Sequence, residues 1–215
     1  MKIYLAGDST VRDYDKSRAP QAGWGQFLPD YLDHRVTVEN HAIGGRSSKT
    51  FITEGRLERI MDEIRPNDYL FIQFGHNDST KDRPERYTVA SGDYKIYLQT
   101  YIDDSRSKRA TPILFTPVAR LHVRDGVFLP NFEEYCVAMK EVAEKENVML
   151  IDLMTESLRF LESLGYERAK ELYMISVDGE DCTHFTEKGA NRVAEIVARE
   201  IIKLPTSLAD YVKSS

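Results

Sequence analysis

Ser9, in Gly7-Asp8-Ser9-Thr10, and His184, in Asp181-Cys182-Thr183-His184, are the side chains best suited to covalent chemistry in this sequence. A serine hydroxyl is a weak nucleophile until an imidazole removes its proton. That imidazole in turn needs a carboxylate to hold its tautomer and stabilise the imidazolium. A three-residue separation in a turn lets Asp181 reach Nδ1 of His184 and leaves the other ring nitrogen for Ser9. Each segment also has a plainer alternative. Asp8-Ser9-Thr10 suits an ordinary turn or a helix cap, and Thr183 or Thr186 would cap a following helix with His184 on the surface. The two plain alternatives are harder to sustain jointly than singly.

Two further segments could stabilise an oxyanion. Gly75-His76-Asn77-Asp78 offers the Asn77 amide as a donor, although Asn-Asp after glycine also makes a plain turn. Asn40-His41-Ala42-Ile43-Gly44-Gly45-Arg46-Ser47-Ser48 carries paired glycines, which suit either a tight turn or a backbone N–H aimed at an anion. Neither a phosphate loop nor a dinucleotide fingerprint is present: G-x-x-x-x-G-K-[ST] is absent, and Gly23-Trp24-Gly25 lacks the third glycine. His34, His41, His76, His122 and His184 are scattered and there is no H-E-x-x-H, so no metal is expected. Cys136 and Cys182 are expected to be free thiols, and Cys182 is given no nucleophilic role because no base is positioned for it. His76 lines the site or fixes its loop, with no catalytic role assigned.

These residues must be positioned by short apolar runs that alternate with segments of helical period, the pattern of an open parallel sheet covered on both faces. Strands are expected at Lys2–Ala6, Val36–Asn40, Asp68–Phe74, Thr111–Thr116 and Val148–Ile151. Helices are expected at Gly25–Leu32, Glu54–Ile64, Tyr94–Ser107, Asn131–Lys145, Thr155–Leu164, Glu167–Met174 and Thr186–Lys203. Phe132, Tyr135, Val137, Met139 and Val142 would form one buried stripe; Val193, Ile196, Val197, Ile201 and Ile202 would form another. In such sheets ligands bind beyond the carboxyl ends of the strands, so the loops 7–20, 41–53, 75–92 and 117–130 are where chemistry is expected.

The chain has 215 residues, which suits one domain over 1–205 with a loosely packed tail at 206–215. With 29 Lys+Arg against 35 Asp+Glu the net charge is −6 and no basic block exists, which argues against a nucleic-acid partner. No window approaches 18 consecutive apolar residues, so no membrane span is expected. Met1-Lys2-Ile3-Tyr4-Leu5-Ala6 runs into the Gly7-Asp8-Ser9 turn with no apolar leader, and a cytoplasmic location is expected.

Taken in order, Gly7-Asp8-Ser9-Thr10, the Asn40–Gly45 segment, Gly75-His76-Asn77-Asp78 and Asp181-Cys182-Thr183-His184 resemble the four blocks of the SGNH (GDSL-type) hydrolases. Within that superfamily the chain is most similar to rhamnogalacturonan acetylesterases, through Gly45-Arg46-Ser47, Thr116-Pro117-Val118-Ala119-Arg120, Thr183-His184-Phe185-Thr186 and Gly189-Ala190. The resemblance implies an SGNH hydrolase fold: a flavodoxin-like, three-layer α/β/α domain with a five-stranded parallel sheet in order 2-1-3-4-5. It implies Ser9 as nucleophile, His184 as base and then acid, and Asp181 as its orienting carboxylate. The implied oxyanion hole combines the backbone N–H groups of Ser9 and Gly45, with Gly44 as an alternative to Gly45, and the Asn77 side chain.

The implied activity is removal of acetyl groups from pectin-derived oligosaccharides through an acyl-serine, with no cofactor, no metal and no obligate protein partner. The alternatives are a lipid esterase or thioesterase of the same fold, or a non-catalytic carbohydrate-binding protein. Trp24, Arg46 and Arg120 are the candidates for contacting the sugar, Trp24 being equally suited to the core. Charge gives little support for an acidic sugar: loop 117–130 carries Arg120, His122 and Arg124 against Asp125, but loop 75–92 carries as many acidic as basic residues.

Overall fold

The structure, a computed structural model, describes residues 1–213. Its centre is a sheet of five parallel strands: β1 (Lys2–Gly7), β2 (Thr37–Asn40), β3 (Tyr69–Gln73), β4 (Thr111–Phe115) and β5 (Met149–Ile151). Their spatial order is β2-β1-β3-β4-β5. The three inner strands are apolar on successive residues because both faces are covered. Tyr4, Ala6, Leu70, Ile72 and Leu114 face one layer of helices; Ile3, Leu5, Phe71, Ile113 and Phe115 face the other.

The first layer holds α1 (Ser48–Thr53), α2 (Arg56–Glu63), α3 (Asp93–Ser107) and α4 (Glu133–Glu146), which bury Phe51, Ile60, Leu98, Tyr101 and Met139. The second holds α5 (Leu153–Leu164) and α6 (Glu187–Ile202), which bury Leu161, Val193, Val197 and Ile201. The architecture is the expected three-layer α/β/α fold in the expected strand order.

Several expectations about local structure are corrected. The helix expected at Gly25–Leu32 is two 3₁₀ turns, Trp24–Gln26 and Leu28–Tyr31, with Pro29 in the second. Gly25 lies so close to its neighbours that a Cβ there would stand 2.4 Å from the Val11 carbonyl, which holds this stretch to a sharp path along the sheet. Loop 41–53 ends in α1, started by a capping box in which the Ser47 hydroxyl accepts from Thr50 N–H and the Thr50 hydroxyl accepts from Ser47 N–H. In loop 117–130, Val123–Arg124 pairs with Val127–Phe128 across Asp125-Gly126, both at positive φ as a two-residue hairpin turn requires.

Val137 and Ile202 point outward and leave the expected stripes, while Cys136, Ala138 and Ala143 are buried on α4. Phe132 sits just before α4 in the left-handed region. Of the helix expected at Glu167–Met174 a short turn at Tyr166–Lys170 forms. The segment expected as a loose tail is anchored: Leu208 is fully buried, Thr206 hydrogen-bonds Tyr69, and Val212 bridges Leu32. Ser214 and Ser215, the last part of that expected tail, lie outside the described residues.

Candidate active site

The carboxyl end of β1 turns sharply at Gly7, where a Cβ would meet Val11 Cγ2 at 2.7 Å. Asp8 closes the turn from inside the protein. Its carboxylate accepts the Thr10 N–H and hydroxyl, both at 2.8 Å, and faces His76 Nδ1 at 3.1 Å. Burial pushes the Asp8 carboxyl up, but His76 and the Thr10 donors outweigh it and hold it below the ordinary carboxylate value. Tyr14 donates its hydroxyl to the Ser9 carbonyl at 2.9 Å, so the residue after Asp8 is fixed on both sides.

From the far end of the chain, Phe185–Thr186 pairs with Gln21–Ala22 and carries His184 to the same place. Ser9 Oγ lies 2.9 Å from His184 Nε2, and His184 Nδ1 lies 2.7 Å from Asp181 Oδ2. Asp181 Oδ1 also accepts the N–H groups of Thr183 and His184 at 2.9 and 3.0 Å, so the turn that spaces the two residues locks the carboxylate in place. Burial raises the Asp181 carboxyl, and these backbone donors together with the imidazole bring it below its ordinary value. An ionised Asp181 selects the Nδ1–H tautomer, leaving Nε2 free to accept the Ser9 proton. The His184 and Asp181 side chains are 29% and 28% exposed, so the pair can be reached from solvent.

The loop after β2 delivers the glycines. Asn40 donates to the Val11 carbonyl and Asp13, at 2.9 and 2.6 Å, tying this loop to the one that bears Ser9. A Cβ on Gly44 would sit 3.6 Å from Ser9 Cβ, and Gly45 has φ +81°, a conformation glycine adopts readily. Among the described residues, the backbone N–H groups of Ser9, Gly44 and Gly45 have no protein acceptor. Asn77 Nδ2 donates to the Arg46 carbonyl at 2.9 Å, which aims its amide at the same loop.

Asp78, next to it, is fully buried and accepts Ser48 N–H at 3.1 Å, Ser48 Oγ–H at 2.5 Å and Thr88 Oγ1–H at 3.0 Å. Burial pushes it up to about 7 against the pull of those donors.

One of the expected sugar contacts is corrected. Trp24 is 1% exposed, donates Nε1–H to Gln73 at 2.8 Å and packs against Phe115, so it is a core residue. Arg46 is committed to Glu54 at 3.0 Å and to the Gly44 carbonyl at 2.9 Å, where it braces the glycine loop. Arg120 remains at the site with its guanidinium 4.7 Å over the Phe132 ring, and Phe132 stacks in turn on His76 at 4.7 Å.

Arg86 and Tyr14, which the sequence did not single out, and His76, expected to line the site or fix its loop, complete the surroundings. Arg86 places Nη1 3.8 Å from the position a Cβ would take on Gly45. His76 joins the two turns, and Tyr14 holds the Ser9 carbonyl. Of these, His76 carried a signal, being adjacent to Asn77 in the same strand-end motif. Arg86 lies nine residues further along its loop and carried none. An open cleft of about 440 Å³ adjoins Asp181 and His184, walled by Ser17, Arg18, Gln21, Met174 and Asp178. Among the described residues no three His, Cys, Asp or Glu side chains gather as a metal ion would require. None of the described helices is long and apolar enough to cross a membrane.

Residues 3–197 match the family described as GDSL-like lipase/acylhydrolase. The chain is 53% identical over 98% of its length to the probable rhamnogalacturonan acetylesterase YesY of Bacillus subtilis, of which it covers 96%. It is 38% identical over its whole length to rhamnogalacturonan acetylesterase RhgT of the same organism, covering 95%. The crystal structure of YxiM from Bacillus subtilis superposes with a TM-score of 0.84 at 35% identity; the match covers 94% of this chain but 56% of that one.

Proposed function

Because the chain belongs to the GDSL-like lipase/acylhydrolase family, we propose that it is a serine esterase that releases acetate from acetylated, rhamnogalacturonan-type oligosaccharides. The observation that carries this reading is the unbroken line Ser9 Oγ to His184 Nε2 to Asp181, at 2.9 and 2.7 Å, beside unpaired backbone donors. The names of YesY and RhgT support the sugar class. A cleft walled mainly by polar side chains suits a small acyl group on a carbohydrate better than a fatty chain.

In this mechanism His184 Nε2 takes the Ser9 proton as Oγ attacks the acetyl carbonyl. The tetrahedral oxyanion is met by the N–H of Ser9, the N–H of Gly45 or Gly44, and the Asn77 amide, while Asp181 steadies the imidazolium. His184 then gives its proton to the departing sugar hydroxyl, leaving acetyl-Ser9. A water activated by the same ring attacks that ester, and acetate leaves with Ser9 restored. Preorganised donors and a positioned base each supply factors of about 10²–10⁴, enough for ester hydrolysis with these groups alone. The reading includes a cytoplasmic site of action, which the two free thiols Cys136 and Cys182 suit.

The test is acetate release from an acetylated rhamnogalacturonan oligosaccharide, together with labelling by an organophosphorus ester. Ser9→Ala is expected to abolish the label and lower kcat by about 10⁴-fold or more. A labelled Ser9→Ala protein, or one that turns over near the wild-type rate, would overturn the mechanism.

A further inference from the structure

Arg86 and Arg120 stand apart from the other arginines. Both are half-buried, with Nε closed to solvent and without a hydrogen-bond partner. Among the described residues neither guanidinium donates a hydrogen bond and neither has a carboxylate within ion-pair distance. The remaining arginines that are not exposed have partners: Arg12 with the Asp13 carbonyl, Arg46 and Arg56 with Glu54.

A buried donor left unpaired costs free energy, and a charged one costs more. At Arg120 burial outweighs the favourable fields of Asp8 and Asp181, and the neighbouring Arg86 adds to its cost. The nearby carboxylates are already engaged: Asp8 with Thr10 and His76, Asp181 with the backbone and His184.

Placement gives the pair a use. Arg86 Nη1 stands 3.8 Å from the Cβ position of Gly45, at the edge of the oxyanion donors. Arg120 is held over the Phe132 ring, with Cζ 4.7 Å from its centroid, and has no acidic partner. Two guanidiniums fixed beside an acyl-ester site match a planar anion that arrives with the substrate, and the carboxylate of a uronic acid is that anion on a sugar. The geometry points to Arg86 and Arg120 as a carboxylate subsite that selects acetylated oligosaccharides bearing a uronate close to the acetylated position. The inference rests on the acetylesterase reading for its substrate and goes beyond it by naming the group recognised and the residues that recognise it.

Two measurements test it. In the first, kcat/KM for acetate release is compared between an acetylated galacturonate oligosaccharide and an acetylated xylo-oligosaccharide, for wild type, Arg86→Ala, Arg120→Ala and Arg86→Lys. The acidic-to-neutral ratio is expected to fall about 10- to 100-fold in the alanine variants and less in Arg86→Lys, with the loss mainly in KM. Methyl esterification of the uronate should lower the wild-type rate by a similar factor and leave the alanine variants indifferent to the ester. A loss shared equally by both sugars would overturn the proposal, since the arginines would then act on the acyl centre itself.

In the second, trigalacturonate and xylotriose are compared as inhibitors of p-nitrophenyl acetate hydrolysis, with active sites counted by organophosphorus titration so that misfolded protein does not enter. Selective inhibition of the wild type by trigalacturonate, weakened about 10-fold or more in Arg120→Ala, supports the subsite even if no acetylated sugar is turned over. Equal inhibition by the two trisaccharides, or none by either, overturns it.

Discussion

His76 Nδ1 meets the fully buried carboxylate of Asp8 at 3.1 Å, while His76 Nε2 meets the Val118 carbonyl at 3.0 Å. Both ring nitrogens therefore face oxygen atoms of the surrounding turns. This pair ties the turn bearing Ser9 to the turn bearing Asn77, so one contact sets the separation of two groups proposed to meet the same oxyanion.

Breaking that pair from either side leaves a buried group unmatched. Asp8→Asn and His76→Ala are each expected to destabilise the fold by about 3–5 kcal/mol, measured by urea denaturation at pH 7. Asp8 is held below its ordinary value, so its contribution is present above the unfolded-state value near 4 and is lost as pH falls through the folded one. The wild type should lose stability on acidification below about pH 4 more steeply than Asp8→Asn. Parallel stability curves for the two proteins over that range would contradict the assignment.

In the proposed mechanism Asn77 acts on the transition state and not on the bound ester. Asn77→Ala is expected to lower kcat by about 10²–10³-fold with KM little changed. Steady-state kinetics on an acetyl ester decide this, and a rise confined to KM would move Asn77 to substrate binding.

Asp78 supplies the opposite pH dependence to Asp8. Its folded value of about 7 lies above its unfolded one, so between roughly pH 4 and 7 the unfolded chain releases a proton that the folded protein keeps. Stability should therefore decline across that interval. Asp78→Asn keeps an acceptor for Ser48 and Thr88 without the buried charge, and it should gain on the wild type by a few kcal/mol between pH 5 and pH 8. Thermal melts at the two pH values check this; an unchanged difference would mean that Asp78 is already ionised at pH 5.

Trp24 belongs to the core, and its replacement should be felt there. Trp24→Phe leaves Gln73 Oε1 without its donor and removes ring volume, for an expected loss of about 1–3 kcal/mol. KM for the sugar ester should change by no more than about threefold, because the ring does not reach the cleft. A large KM change with unaltered stability would restore the indole as a sugar platform.

What the sequence disclosed follows from range. The five strands were legible because each is a short β-rich run, apolar on both faces in the inner three, and such runs depend on burial alone. Ser9, Asp181, His184 and Asn77 were legible because each follows a predicted strand or precedes a predicted helix within a few residues. Gly25–Leu32 was misread as one helix because its apolar spacing is helical, while Pro29 and the close approach at Gly25 impose a tighter path. Six-residue α1 was hidden by its length, although Ser47 and Thr50 carry its cap. Trp24 could not be placed, since its partner Gln73, on another strand, leaves no local pattern.

Ser9 and His184 are 175 residues apart in sequence and 2.9 Å apart in space. At roughly 5–20 residues per second of synthesis, about 9–35 s separate the emergence of one from the other. On the proposed mechanism a ribosome-bound chain halted before residue 184 holds the nucleophile and no base, and the chain stays inert until Phe185–Thr186 docks on Gln21–Ala22. On the proposed mechanism the first turnover reports that the turn after β1 and the segment before α6 have met.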